Sequence, residues 1–170
     1  MILRSATPDD ITPLARLGRE SFIAKFAHLY RPEDLGPFLE ATYSETAIAA
    51  EMANPQRLYQ LAERDSALIG YAKLSLACGW GEYARGDHVI ELKQLYTAPD
   101  VLGRGIGTAL MDWAMATARA QGADEMQLSV WSRNHDAQRF YARYGFTKQA
   151  DVTFRVGEQL DEEFLFAVML

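Results

Sequence analysis

The sequence predicts one α/β domain of the α+β kind: a central mixed, mostly antiparallel sheet of about seven strands, flanked by about four helices. Three observations predict it. The chain has 170 residues, enough for one core, and no linker-like stretch divides residues 1–170. Its apolar spacing switches between period two and period 3.6, in the order strand, two helices, three strands, helix, strand, helix, two strands. One strand, starting at His88, changes phase partway, as a sheet that splays at its fourth strand would require.

The first strand is Ile2 to Ala6. Thr7-Pro8-Asp9-Asp10 opens a helix, with a capping hydroxyl, a proline in the first turn and acids at the positive end. Ile11, Leu14, Leu17 and Phe22 give that helix its apolar stripe. A second helical region runs from Pro32 to about Ala53, interrupted at Gly36-Pro37 and closed by Asn54-Pro55. Leu58–Ala62 and Ala67–Leu76 read as a hairpin turning at Arg64-Asp65-Ser66. A loop with three glycines, Gly79 to Asp87, precedes the strand from His88 to Thr97. A helix from about Gly105 to Gln121 follows, ended by Gly122. Met126, Leu128 and Val130 alternate with polar residues as a strand, and Asn134 caps a helix stopped by Gly145. Phe146–Phe154 and Phe164–Leu170 make a last hairpin around Gly157, and the apolar final strand could pair across a homodimer.

Composition narrows the function classes. Hydrophobic residues are 49% and charged residues 24%, which excludes disorder. No apolar run approaches the roughly 18 residues of a membrane helix, and Met1–Ser5 carries no signal-peptide core, so the expected location is cytoplasmic, with no membrane partner. Cys78 is the single cysteine, so no internal disulfide forms, and His28, His88 and His135 lack ligand spacing, so no metal is expected. Seventeen basic residues against 23 acidic ones give a net charge of -6, which disfavours nucleic acid and favours a cationic partner.

Gly103-Arg104-Gly105-Ile106-Gly107 lies between a strand and a helix. Glycines there let the backbone approach a ligand, and the first amides of the helix have no internal partner, so the site suits a phosphate or pyrophosphate. It is neither a Walker loop, since no lysine precedes Thr108, nor a dinucleotide fingerprint, since position 110 is Leu and no acid ends the next strand at Trp131. On the strand before it, Ile90 and Leu92 alternate, but the next apolar residue is Leu95, one place out of phase. A one-residue bulge near Lys93-Gln94 would restore the phase, separate two strands and offer an open edge to an extended ligand. A bare glycine turn and an unbulged strand with a surface Lys and Gln are the alternatives.

Leu92 through Pro99, Gly103 through Leu110, and Asn134 through Phe146, in that order and spacing, resemble the GCN5-related N-acetyltransferases. The resemblance implies a GNAT-like fold and acetyl-CoA as co-substrate. It places the pantetheine arm on the backbone of Leu95, Tyr96 and Thr97, and the pyrophosphate on Leu102, Gly103, Arg104, Gly105, Ile106, Gly107 and Thr108. Leu102 departs from the family's usual Gln or Arg, which implies weaker rather than absent cofactor binding. More loosely, Glu20-Ser21-Phe22, Pro32-Glu33-Asp34 and Val130-Trp131 are similar to bacterial spermidine/spermine acetyltransferases.

The implied reaction is attack of an amine on a thioester. A primary amine of pKa about 10.4 is neutral only about once in 2,500 molecules at pH 7, a cost of roughly 4.6 kcal/mol, whereas the leaving thiol, near 8.5, needs less help. A base on the amine side therefore matters at least as much as an acid on the sulfur side. Tyr141, nearly two turns after Asn134, is the acid that the resemblance implies, and by periodicity it is equally a core aromatic beside Phe140 and Tyr144. Asn134 is a helix cap and, by resemblance, a cofactor contact. Glu91, before the bulge, is the base candidate, with Glu82 behind it. Five acids and no Lys or Arg lie between Pro32 and Gln56, and of these Glu33, Asp34 and Glu40 are candidate acceptor-binding residues, or else a solvated helix face. The expected function is acetyl-CoA-dependent transfer to a small-molecule amine, with a polyamine as suggested acceptor. The alternatives are a protein, peptide or amino-acid acceptor, or a non-catalytic acyl-CoA sensor.

Overall fold

The computed structural model describes residues 1–101 and 105–170. Within these residues seven strands form one sheet: β1 (Ile2–Ser5), β2 (Arg57–Arg64), β3 (Ala67–Ser75), β4 (Val89–Thr97), β5 (Glu125–Trp131), β6 (Thr147–Val156) and β7 (Gln159–Met169). Their spatial order is β1-β2-β3-β4-β5-β7-β6, and the pairing of β4 with β5 is the one parallel contact. Among the described residues five α-helices accompany them: α1 (Ile11–Phe26), α2 (Pro32–Tyr43), α3 (Glu45–Ala53), α4 (Ile106–Ala120) and α5 (His135–Ala142). Among the described residues no helix is long and apolar enough to cross a membrane.

Strand alternation gives each sheet face its own core. Ala72, Leu74, Ile90, Leu92, Met126 and Leu128 face α4, whose Ile106, Leu110, Met111 and Ala114 are buried against them. On the other face, Leu61, Tyr71 and Val156 pack with Leu14, Phe22, Leu39 and Tyr43 of α1 and α2. The β2–β3 turn holds Asp65 and Ser66 at φ 51° and 61°, the left-handed pair that matches the strands' twist.

Two expectations change. The break between Pro32 and Ala53 falls at Ser44, not at Gly36-Pro37. Pro37 removes one N–H, whose acceptor would be the carbonyl of solvent-exposed Glu33, so α2 passes through it. Ser44 instead leaves the helical region at ψ 156°, and its hydroxyl accepts from the Ala47 N–H at 3.1 Å. Ser44→Ala should therefore cost about 1 kcal/mol. The urea midpoint should fall at unchanged slope; an unmoved midpoint would mean that packing alone holds α3. The second correction concerns Phe164–Leu170. Phe164–Met169 belong to β7, which lies between β5 and β6; Phe164, Leu165, Phe166 and Ala167 are paired on both edges, so that stretch is not a free edge for a partner chain.

Candidate active site

The site follows from one register shift. Across β3 and β4, Lys73 faces Gln94 while Leu74 faces Leu92, so Lys93 is the extra residue of a bulge, where the phase of Leu95 required one. The bulge turns Gln94 toward α2. There it accepts from the Tyr71 hydroxyl at 3.0 Å and donates to the Tyr43 hydroxyl at 3.3 Å, and Tyr43 in turn donates to the Tyr96 hydroxyl at 3.4 Å. This chain fixes β4 beyond the bulge. Pairing with β5 ends at Glu91–Gln127, while β4 runs on to Thr97 and β5 to Trp131. The two strands diverge, and the backbone edge of β4 past Leu92 has no strand beside it on that side.

The gap holds a chamber of about 150 Å³, space for roughly five waters. Lys93, Gln94 and Leu95 form one wall and Ser129, Val130 and Trp131 the opposite one. Phe22, Phe26 and Tyr30 close it from α1 and the turn beyond, Asp161 and Glu163 enter from β7, and Asn134 and Tyr141 from α5. A wider cleft of about 610 Å³ shares Leu95, Asn134 and Tyr141 with it and runs out past Thr97 and Gly107. The rim of that cleft carries Lys25, Arg133, Arg139 and Arg143 against one acid, Asp136.

The structure brings most of the predicted residues to these two spaces. Leu95 and Tyr96 line the chamber, and Thr97 lines the outer cleft. Gly105, at φ 76°, turns the chain into α4, so Ile106, Gly107 and Thr108 form its first turn, whose amides lack intrahelical acceptors. Leu102, Gly103 and Arg104 lie outside the described residues. Asn134 caps α5 by accepting from the Ala137 N–H at 3.2 Å, which leaves its side-chain N–H donors free to face a ligand. Tyr141 lines both spaces, and burial pushes its phenol above the usual tyrosine range, so it stays protonated at any physiological pH.

The predicted carboxylates sit elsewhere. Glu91 is buried one step before the split, accepting from the Gly79 N–H at 3.2 Å and from Lys93 Nζ at 3.2 Å. It forms part of neither wall, and Glu82 lies in an exposed turn. Asp34 is buried between α2 and the β6–β7 turn, with Arg31 Nε at 3.0 Å and the Glu158 N–H at 3.3 Å; these bonds hold its carboxyl below the usual range. Glu33 and Glu40 are exposed on α2, outside the chamber.

The chamber's own acids, Asp161 and Glu163, carry no signal in a single sequence. They lie on a strand whose spatial neighbours, β5 and β6, are set by topology, and acids at alternate strand positions read as a solvated face. Tyr30 donates its hydroxyl to Asp161, and burial together with that carboxylate pushes the phenol above its usual range. The basic rim was equally hidden, because its members come from α1, α5 and the turns on either side of α5.

The bulge thus splits two parallel strands beside a glycine-led helix. The model of the acetyltransferase (GNAT) family matches residues 23–146, and the chain belongs to that family. It is an N-acetyltransferase. An uncharacterized N-acetyltransferase of Mycobacterium tuberculosis is 32% identical over 157 residues, 92% of this chain and 95% of its own length. A more distant relative, the spermidine N(1)-acetyltransferase of Thermoplasma acidophilum, is 26% identical over 85% of this chain and 86% of its own. The crystal structure of a PaiA N-acetyltransferase from Thermoplasma acidophilum in complex with coenzyme A superposes at a TM-score of 0.78, with 24% identity, over 99% of this chain and 98% of that one; the likeness is one of fold.

Proposed function

We propose that the enzyme transfers the acetyl group of acetyl-CoA to a primary amine by direct attack in the chamber between β4 and β5. The observation that carries this reading is the continuity of the outer cleft with a small chamber at Tyr141, so that a long donor and an amine can meet from opposite ends. The pantetheine arm extends along β4 and takes the backbone groups of Leu95, Tyr96 and Thr97 in place of the missing strand. The pyrophosphate lies at Gly105, Ile106, Gly107 and Thr108, together with Leu102, Gly103 and Arg104, where helix amides and dipole favour an anion. Lys25, Arg133, Arg139 and Arg143 surround the cleft with matching charge. Asn134 donates to a pantetheine carbonyl. Tyr141 gives its proton to the sulfur as the tetrahedral adduct collapses; burial keeps the phenol in its protonated form at neutral pH, though it also makes the phenol a weaker acid.

The acceptor lies against Phe22, Phe26 and Tyr30, whose aromatic rings attract a cation, and meets Asp161 and Glu163. An ammonium group suits that end, and a polyamine suits the distant spermidine relative and the net charge of -6. Glu33 and Glu40 act on it only as a long-range field from α2, while Asp34 is committed to Arg31 and the Glu158 amide. The test is a panel of amines with acetyl-CoA, followed by free-thiol release. Spermidine should outperform a singly charged alkylamine, by a margin that shrinks with added salt. Equal rates for charged and neutral amines would remove the polyamine and keep the transfer. No thiol release with any amine would remove the transfer itself.

A further inference from the structure

Resting on the amine-transfer reading, we infer that Glu163 is the base that deprotonates the acceptor ammonium, in place of the strand acid Glu91. Deprotonation is the costliest preparatory step, and a carboxylate must reach the nitrogen to perform it. Glu91 does not line the chamber, and both of its oxygens are engaged, one beneath Gly79 and one beside Lys93. Even a methyl group at Gly79 would meet Glu91 Oε2 at 2.7 Å, so the carboxylate is packed directly against that backbone.

Glu163 faces Trp131 across the β5–β7 ladder, at the end of β5 where the strands have already separated, and its side chain lines the chamber with Tyr141. The groups around it are few. Lys93 of β4 and Lys25 of α1 are the cations on the chamber wall, and Asp161 is the other acid, engaged by the Tyr30 hydroxyl. Tyr96 and Tyr141 are phenols held protonated by burial, Ser129 and Trp131 of β5 do not titrate, and β6 presents Phe154. Burial raises the Glu163 carboxyl above its usual range, and Asp161 adds to this; the Ser129 hydroxyl and Lys93 oppose it without cancelling it. A carboxylate so raised holds a proton more firmly than an ordinary one, which is what a base near neutral pH requires.

The protons balance. The acceptor enters as R–NH3⁺, and its first proton passes to the Glu163 carboxylate and from there to solvent. The lone pair attacks the thioester carbon, the C–N bond forms, and the C–S bond breaks as Tyr141 protonates the sulfur. The second nitrogen proton replaces the one that Tyr141 gave up, leaving an amide, a free thiol and one proton in solution.

The experiment is the pH dependence of thiol release by wild type, Glu163→Gln and Glu91→Gln. Glu163→Gln should lower kcat by about 10²–10⁴-fold near pH 7. Its rate should then rise log-linearly with pH toward the amine's own pKa, with the loss smallest at high pH. Wild type should instead level off once the carboxylate is ionised. Folding is checked separately. The native Glu163 carboxyl gives up its proton at higher pH than the unfolded one, so its burial costs nothing in acid and most above the raised value. Glu163→Gln should match wild type in melting temperature at acid pH and exceed it above neutrality. Should that variant fail to fold, Glu163→Ala with added formate, which supplies a carboxylate to the vacated space, should regain activity. An active wild type whose rate and pH profile are unchanged by Glu163→Gln, or a profile lost in Glu91→Gln instead, would overturn the inference and leave the transfer reading intact. A wild type that releases no thiol would overturn both.

Discussion

Tyr141→Phe should lower turnover by about 10²–10⁴-fold, the range for a positioned acid, which corresponds to roughly 3–5 kcal/mol of barrier. The ring is kept, and with it the contacts to Phe140 and Phe146 at centroid distances of 5.4 and 5.9 Å, so folding and acetyl-CoA affinity should barely move. Thiol release at saturating donor and amine measures the loss. Because burial raises the phenol, the wild-type rate should show no alkaline decline from this group below the ordinary tyrosine range. The deficit of Tyr141→Phe should also shrink when the leaving thiol is made more acidic, since less protonation is then needed. Wild-type turnover in a well-folded variant would make Tyr141 a core aromatic, the role its stripe with Phe140 and Tyr144 already allows.

Gly105→Glu should abolish the stabilisation that acetyl-CoA confers. At 100 times its dissociation constant the donor should add about 2.7 kcal/mol to the wild type, a rise of roughly 5–10 °C at this chain length. Gly105 stands at φ 76°, where an L side chain is strained, immediately before amides that face the cleft. A glutamate there also sets a negative charge against the pyrophosphate. Among the described residues nothing lies within 4 Å of the place a Cβ would occupy, so these leave space for a side chain. Gly105→Ala therefore separates the two effects: it should lose some stability through backbone strain yet retain much of the thermal shift. A full shift in Gly105→Glu would move the pyrophosphate away from α4.

Much of this cleft was legible in the sequence because backbone geometry leaves a local signature. Leu95 out of phase with Ile90 and Leu92 is a bulge written in hydrophobicity, and the structure places the extra residue at Lys93. Gly105 and Gly122 mark both ends of α4, and both have positive φ. The acidic run over α2 and α3 does not by itself mark a binding face. Counting charges along a helix does not say which are spent on structure, and Asp34 ties α2 to the β6–β7 turn, where a Cβ on Gly157 would collide with it. Ser44 reads as an ordinary helix residue until the chain beyond it turns to let Ile48 and Leu39 share one core. Asp161 and Glu163 were invisible because their meaning depends on β7 inserting between β5 and β6, a long-range choice that no local pattern encodes.

The central claim is that the open edge of β4 receives the acetyl donor. Amide hydrogen exchange over residues 92–98, with and without saturating acetyl-CoA, tests it most directly. The account predicts slowed exchange there and in the first turn of α4, with the β1–β2 edge of the sheet unchanged. Protection that appears elsewhere while residues 92–98 exchange as before would contradict it.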